Sequence, residues 1–199
     1  MAHLTIDKLS NIIFNNLDEN GNDYKIFIES GTYLGETIIE LQPYFNILHT
    51  VELSEKYFDM FNNIKNDNNL DNIFNYKGET SDILPDIFKS IDKKNKCIFW
   101  LDGHFSSGDT AKGKKDCPLI EECQIIDQLY SSDEMIILID DIRLFGTNIN
   151  EDWSEINIEF IKKCFTNFKI SKEVILDHET IPNQKDLLAF KLNRKSCKT

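Results

Sequence analysis

The fold is decided by the stretch Tyr24-Lys-Ile-Phe-Ile-Glu-Ser-Gly-Thr-Tyr-Leu-Gly35, in which an apolar run leads into a glycine-containing turn and then into a helical pattern. A strand that ends in a glycine turn and enters a helix is the arrangement with which α/β proteins bind nucleotide-like ligands. Gly31 and Gly35 would let the backbone come close to such a ligand, beside the helix N-terminus. We therefore expect a binding site at this turn.

Apolar runs and helical patterns alternate along the rest of the chain. The predicted strands are 25–30, 48–53, 73–76, 97–101, 135–140, 170–176 and 187–192, and the predicted helices are 36–42, 55–66, 80–91, 117–130 and 153–168. This alternation predicts an α/β fold with a Rossmann-like, doubly wound, mostly parallel seven-stranded sheet. Because the segment 178–186 is too short for a crossover helix, we expect the last two strands to form a C-terminal antiparallel pair.

Length and composition predict one domain, 1–199, with an N-terminal helix in 1–20 and a seven-stranded core in 21–199. The net charge of −12 and the lack of a basic stripe argue against nucleic acid as a partner. We expect no membrane span and no signal peptide, because the chain has no long apolar run and no basic, apolar leader. Five cysteines without a CxxC pair favour reduced thiols and a cytoplasmic protein. The sequence leaves open whether the chain forms a homo-oligomer.

Acidic residues stand at or just after the ends of the first five predicted strands, where ligands bind in a doubly wound sheet. They are Glu29, Glu52, Glu79 (followed by Thr80), Asp102 (followed by Gly103 and His104), and the pair Asp140-Asp141. Closely spaced carboxylates repel one another unless a cation or hydrogen-bond donors offset the charge. Their recurrence at one edge therefore indicates a binding site more than packing.

Glu52 follows the glycine turn at the separation typical of an acid that binds the two hydroxyls of a ribose. The alternative is a solvated acid at a strand end. Glu79 and Thr80 are placed to contact an adenine edge, and the alternative is that they cap a helix N-terminus. The polar segment 105–116 predicts a mobile loop over the ligand, and its lysines 112, 114 and 115 are expected to be solvated charges.

Asp102, Asp140 and Asp141 predict an all-oxygen site for Mg²⁺ or another hard divalent cation. In the alternative, Asp140 caps the next segment and Asp141 pairs with Arg143. His104 is a candidate general base, because histidine is the side chain most often used for proton transfer in catalysis. It could equally be a loop histidine without a chemical role.

With these positions in place, the chain resembles the class I S-adenosylmethionine-dependent methyltransferases. Among them it is most similar to the macrocin O-methyltransferase type, metal-dependent enzymes that act on sugar hydroxyls. The resemblance extends from Tyr24 to Phe145 and rests on four motifs: Glu29-Ser-Gly-Thr-Tyr-Leu-Gly-Glu-Thr37, Val51-Glu-Leu53, Phe99-Trp-Leu-Asp-Gly103 and Ile139-Asp-Asp-Ile142. The family commonly has Leu-Asp-Gly-Asp in the third motif, and His104 stands here in place of its last residue.

The resemblance implies that S-adenosylmethionine binds to Glu29, Ser30, Gly31, Thr32, Gly35, Thr37, Glu52, Glu79, Thr80 and Asp102. It implies metal ligands at Asp102, Asp140 and Asp141. From the residues themselves, we expect Asp102 or His104 to act as the base. The expected function is O-methyl transfer to a hydroxyl of a sugar or glycan precursor, or of another small metabolite such as a catechol. A methyltransferase-like domain without turnover is the non-enzymatic alternative. A nicotinamide-dependent oxidoreductase shares the βαβ pattern, but it has no use for three clustered carboxylates.

Overall fold

A seven-stranded sheet runs through the protein, whose computed structural model describes residues 3–17, 20–105, 110–149, 151–178 and 180–196. Its strands are β1 (Tyr24–Ser30), β2 (Ile47–Glu52), β3 (Ile73–Lys77), β4 (Lys96–Leu101), β5 (Glu134–Ile139), β6 (Phe168–Asp177) and β7 (Lys185–Arg194). The order across the sheet is β3-β2-β1-β4-β5-β7-β6. The first five strands are parallel, and β7 is antiparallel to both β5 and β6. The predicted sheet and its C-terminal antiparallel pair are confirmed.

The helices are α1 (Ile6–Ser10), α2 (Glu36–Leu41), α3 (Glu55–Asp67), α4 (Thr80–Ser90), α5 (Leu119–Leu129) and α6 (Ile158–Cys164). A wider π-helical turn, Asn11–Asn16, continues α1, so the predicted N-terminal helix is present. The predicted helix 153–168 is wrong at both ends. Asn157 is extended and its side chain accepts a hydrogen bond from the Phe160 amide, so that α6 starts only at Ile158.

Both faces of the sheet are covered, which explains why its central strands are apolar without alternation. In β4, Phe99 packs into the hydrophobic cluster on one face, whereas Ile98 and Trp100 pack into the cluster on the other. The four described cysteines are free and buried, in keeping with the predicted reduced thiols; Cys197 lies outside the described residues. Within the described ranges, the helices are too short or too polar to cross a membrane.

The strand order places the site. The chain reverses its direction of travel across the sheet between β1 and β4, and such a switch point leaves a crevice at the carboxyl ends of the strands. The antiparallel strand β7 brings a further residue to this edge of the sheet. Because Ile139 at the end of β5 pairs with Leu188 near the start of β7, Asp186 lies at the same edge.

Candidate functional site

The turn after β1 packs directly against the end of β4. Gly31 has φ +84°, and a Cβ at this position would lie 2.8 Å from the carbonyl oxygen of Asp102. The Ser30 hydroxyl accepts hydrogen bonds from the amides of Asp102 (3.1 Å) and Gly103 (3.0 Å). Ser30 and Gly31 therefore fix the position of the Asp102 backbone.

Glu52 lies at the end of β2 beside this turn, with 7% of its surface exposed. One carboxylate oxygen accepts a hydrogen bond from the Tyr33 amide at 2.8 Å, and the other accepts one from the Ser54 amide at 2.7 Å. Because a carboxylate oxygen can accept more than one hydrogen bond, each oxygen can still receive a hydroxyl. Glu52 is thus not a freely solvated strand-end acid.

A cleft of about 710 Å³ opens at this edge of the sheet. The cleft is lined by six predicted site residues, Gly31, Glu52, Glu79, Thr80, Asp102 and His104, together with Tyr33, Tyr57 and residues 110, 111 and 113–116. The structure therefore brings six of the predicted residues around one space.

The described part of the predicted loop, 110–116 with Phe105, lies against this cleft; positions 106–109 are outside the described residues. The Lys114 amide donates a hydrogen bond to Glu79 at 2.7 Å, and its ammonium group pairs with Asp82 at 2.8 Å. Lys112 pairs with Asp116 and Lys115 pairs with Glu121. The three lysines are exposed and each is paired with an acid, which agrees with the prediction of solvated loop charges.

Glu29 lies at the floor of an adjoining cleft of about 330 Å³, which is also lined by Thr32, Thr37 and Asp102. Its carboxyl group accepts a hydrogen bond from the Thr50 hydroxyl at 2.7 Å, and the Thr50 hydroxyl lies 2.6 Å from that of Thr32. Burial raises the pKa of Glu29 to about 8, despite the hydrogen bond from Thr50. Glu29 is therefore mostly protonated at neutral pH.

Three other predicted cofactor residues have clear structural partners. The Thr37 hydroxyl accepts a hydrogen bond from the Leu4 amide at 3.1 Å. Gly35 has φ +77°, and a Cβ there would lie 2.4 Å from the Phe61 ring, so this glycine lets α2 pack on α3. Thr80 is the first residue of α4 rather than its cap, and its hydroxyl bonds to Glu122.

His104 stands between two aspartates at the edge of the cleft. Its Nε2 lies 3.0 Å from Asp141 Oδ2, and its Nδ1 lies 3.6 Å from Asp102 Oδ1. The Trp153 ring packs edge-on against the imidazole, with ring centroids 4.9 Å apart. The side chain of His104 is only 5% exposed, so His104 is not a solvent-facing loop histidine.

The predicted metal ligands are distributed over two groups among the described residues. Asp102, His104 and Asp141 present ligand atoms within 4.8 Å of one another, and so do Asp140, Asp141 and Asp186. Arg143 donates to both Asp141 and Asp186, which places a cation inside the second group. The pairing of Asp141 with Arg143, which was the alternative to a metal site, is present, and it coexists with the His104 contact.

The protonation of these acids follows from burial and crowding. Burial raises the pKa of Asp102 well above its usual range, and the charges of Asp140, Asp141 and Glu29 add to the effect. Burial, with Asp141 next, raises the pKa of Asp140 to about 7. Burial acts in the same direction on Asp141, but the hydrogen bond from His104 and the charge of Arg143 outweigh it and hold its pKa below the usual value.

Sequence reasoning missed Glu122 and Asp186. Glu122 lies on α5 and is 1% exposed, and it bonds to the hydroxyls of Thr80 and Ser30 behind the site. Its position on the apolar face of α5 was a readable signal, because a charged residue there needs a buried partner. Asp186 had no such signal, since only the antiparallel placement of β7 brings it to Arg143.

Comparisons with known proteins bear on the fold. No protein-family model matches the chain, and no curated protein matches it. The O-methyltransferase TomG from Streptomyces achromogenes, solved with SAM, is 12% identical, with a TM-score of 0.57 over 87% of this chain and 75% of that one. The O-methyltransferase from Bacillus cereus, solved with SAH, is 14% identical, with a TM-score of 0.58 over 87% of this chain and 76% of that one.

A third structure has nearly the same length as this chain. SMU.1697c, a proposed methyltransferase from Streptococcus mutans solved with SAH, is 13% identical. Its TM-score is 0.58, over 96% of this chain and 99% of that one. At such low sequence identity, the structural likeness establishes the architecture only. The chemistry has to be argued from the residues of the site. The chain therefore has the Rossmann-like fold of the class I methyltransferases.

Proposed function

We propose that the protein is an S-adenosylmethionine-dependent O-methyltransferase, assisted by a divalent cation, that acts on a hydroxyl of a sugar or glycan precursor. The observation that carries the proposal is one cleft that is lined by Gly31 and Glu52 together with Asp102 and His104. The first pair suits an adenosine, and the second pair suits a hydroxyl that must lose a proton. The sugar rests on the family resemblance of the sequence motifs.

The cofactor is expected to lie along the end of the sheet. Glu52 is positioned to accept hydrogen bonds from the ribose hydroxyls, because backbone amides hold both of its oxygens in place. Tyr33 and Tyr57, whose ring centroids are 4.5 Å apart, form an aromatic wall beside it. Glu79 lies further along the cleft, where an adenine edge would reach it. When bound, the cofactor supplies a methyl group already activated by its sulfonium.

The residues at the other end of the cleft fit a divalent cation. Asp102, His104 and Asp141 converge, and the buried Oδ1 of Asp102 has no hydrogen-bond partner among the described residues. A cation held there would lower the pKa of a bound acceptor hydroxyl. Asp140 and His104 line the same small pocket beside this site.

The remaining work of the enzyme is alignment and proton removal. The acceptor oxygen must lie in line with the methyl group and its leaving sulfur, and the site at Asp102 and His104 defines that position. The proton of the hydroxyl passes to one of these two side chains. Two adjacent hydroxyls, as in a sugar, would both bind to the cation, which would lower the pKa of the one that attacks.

Calorimetric titration with S-adenosylhomocysteine and with NAD tests the cofactor assignment. We expect the former to bind and NAD to give no heat. Glu52→Gln should weaken binding by about 10- to 100-fold, because each charge-assisted hydrogen bond to a ribose hydroxyl contributes about 1.5–3 kcal/mol. The exposed Glu55→Gln is the matched control and should bind as the wild type does.

A thermal unfolding curve must show that Glu52→Gln remains folded. An analogue of S-adenosylhomocysteine without ribose hydroxyls gives the same information without touching the protein, and it should lose affinity for the wild type. Tight binding of NAD in place of S-adenosylhomocysteine would overturn the proposal. Methyl transfer to candidate sugars is then followed by mass spectrometry.

A further inference from the structure

A histidine stands among the carboxylates at the acceptor end of the cleft. The ligand atoms of Asp102, His104 and Asp141 all lie within 4.8 Å of one another. The donor set is therefore two carboxylate oxygens and one imidazole nitrogen, rather than the three aspartates that the sequence motifs suggest. This change in donor type alters which cations the site prefers.

The Asp102 side chain indicates that a ligand is needed here. Its side chain is only 8% exposed, and its Oδ1 is buried without a hydrogen-bond partner among the described residues. This oxygen faces His104 Nδ1 at 3.6 Å, which is too long for a hydrogen bond. A buried carboxylate oxygen without a donor is costly, and a cation between these groups would remove that cost.

Each of the three donors is held by a separate contact. Arg143 binds Asp141 through Oδ1, which leaves Oδ2 directed towards His104. Ser30 fixes the backbone of Asp102 and Gly103, and Trp153 packs against the imidazole of His104. Such outer contacts orient metal ligands before the ion arrives.

We infer that Asp102, His104 and Asp141 bind a divalent metal ion of the Zn²⁺ or Co²⁺ class in preference to Mg²⁺. Imidazole favours these ions, whereas Mg²⁺ favours oxygen ligands and keeps much of its water shell. The inference deepens the proposed function and rests on it only for the role of the ion in catalysis. With His104 as a ligand, Asp102 Oδ2 becomes the acceptor of the substrate proton.

Metal titration of the chelator-treated protein tests the inference without any turnover. We expect Co²⁺ and Zn²⁺ to bind at least about 100-fold more tightly than Mg²⁺. His104→Asp, which restores an all-oxygen set, should lower Co²⁺ affinity by about 10- to 100-fold and reduce the preference over Mg²⁺. His3→Gln removes a histidine that lies outside the cluster and should bind both ions as the wild type does.

Pulsed electron paramagnetic resonance of the Mn²⁺-loaded wild type gives a second measurement that does not depend on a variant. Coupling to an imidazole nitrogen supports the inference, and its absence overturns it. Equal affinity for Co²⁺ and Mg²⁺ in the wild type also overturns it. S-adenosylhomocysteine binding with no metal binding would leave the cofactor proposal standing and reject the ion. Metal binding through His104 without S-adenosylhomocysteine binding would reject the cofactor proposal and leave the metal inference standing.

Discussion

At the scale of single residues, the site is a set of acids whose charge depends on what surrounds them. Asp141 is held ionised by His104 and Arg143, whereas its neighbour Asp140 is pushed towards neutrality by burial. The sequence presents these two aspartates as an equivalent pair. Only the backbone, which turns to φ +58° at Asp141, directs one side chain to His104 and leaves the other behind it.

Glu122 provides a residue-scale prediction about pH. Burial raises its pKa to about 8, from an ordinary value of 4.5. Between these two pH values, the folded chain keeps a proton on Glu122 that the unfolded chain releases. The contribution of Glu122 to the free energy of unfolding is therefore complete below pH 4.5 and is lost as the pH rises to about 8. Glu122→Gln cannot ionise, and its stability relative to wild type should rise by on the order of 4 kcal/mol across this window.

Urea unfolding at a series of pH values measures this difference. The neighbouring Glu121→Gln, whose side chain is 35% exposed and pairs with Lys115, is the control and should show a much weaker pH dependence. If the stability difference between Glu122→Gln and wild type stayed constant from pH 5 to 8, Glu122 would not be held neutral in the folded protein.

At the scale of elements, the glycine turn serves two purposes that its sequence does not distinguish. Gly31 lets β1 approach the end of β4, whereas Gly35 lets α2 approach the Phe61 ring on α3. Both glycines were predicted to face the ligand, but only Gly31 lines the large cleft. Sequence spacing identified the turn correctly, but only the tertiary structure shows which of its glycines lines the cleft and which allows two helices to pack.

A matched pair of glycine variants tests the close approach of β1 to β4. Gly31 and Gly146 both have positive φ, at +84° and +75°, so alanine strains the backbone similarly at each. A Cβ at Gly146 meets nothing within 4 Å, whereas one at Gly31 meets the Asp102 backbone. Gly146→Ala should cost about 1–2 kcal/mol, and Gly31→Ala at least about 3 kcal/mol with loss of S-adenosylhomocysteine binding.

Chemical denaturation and calorimetry measure both effects. The difference between the two variants isolates the contact with Asp102, because their backbone strain cancels. Equal costs, with cofactor affinity retained in Gly31→Ala, would show that the turn does not need to approach β4.

At the scale of the whole molecule, the alternation of apolar runs with helical patterns was enough to predict the sheet, its parallel strands and the antiparallel β6–β7 pair. The alternating apolar runs carry that information because every crossover helix must cover a sheet face. The same pattern carries no information about Asp186, which reaches Arg143 only because β7 inserts between β5 and β6. The same pattern predicted a helix that is longer than α6, because Trp153 packs on His104 from a loop rather than from a helix.

The whole site is best tested by the crystal structure of the protein with S-adenosylhomocysteine. We expect both ribose hydroxyls within hydrogen-bond distance of Glu52, the adenine near Glu79, and the sulfur directed towards Asp102 and His104. A ligand that binds outside this cleft, or in it with the ribose away from Glu52 and the sulfur away from Asp102, would contradict the proposed O-methyltransferase site.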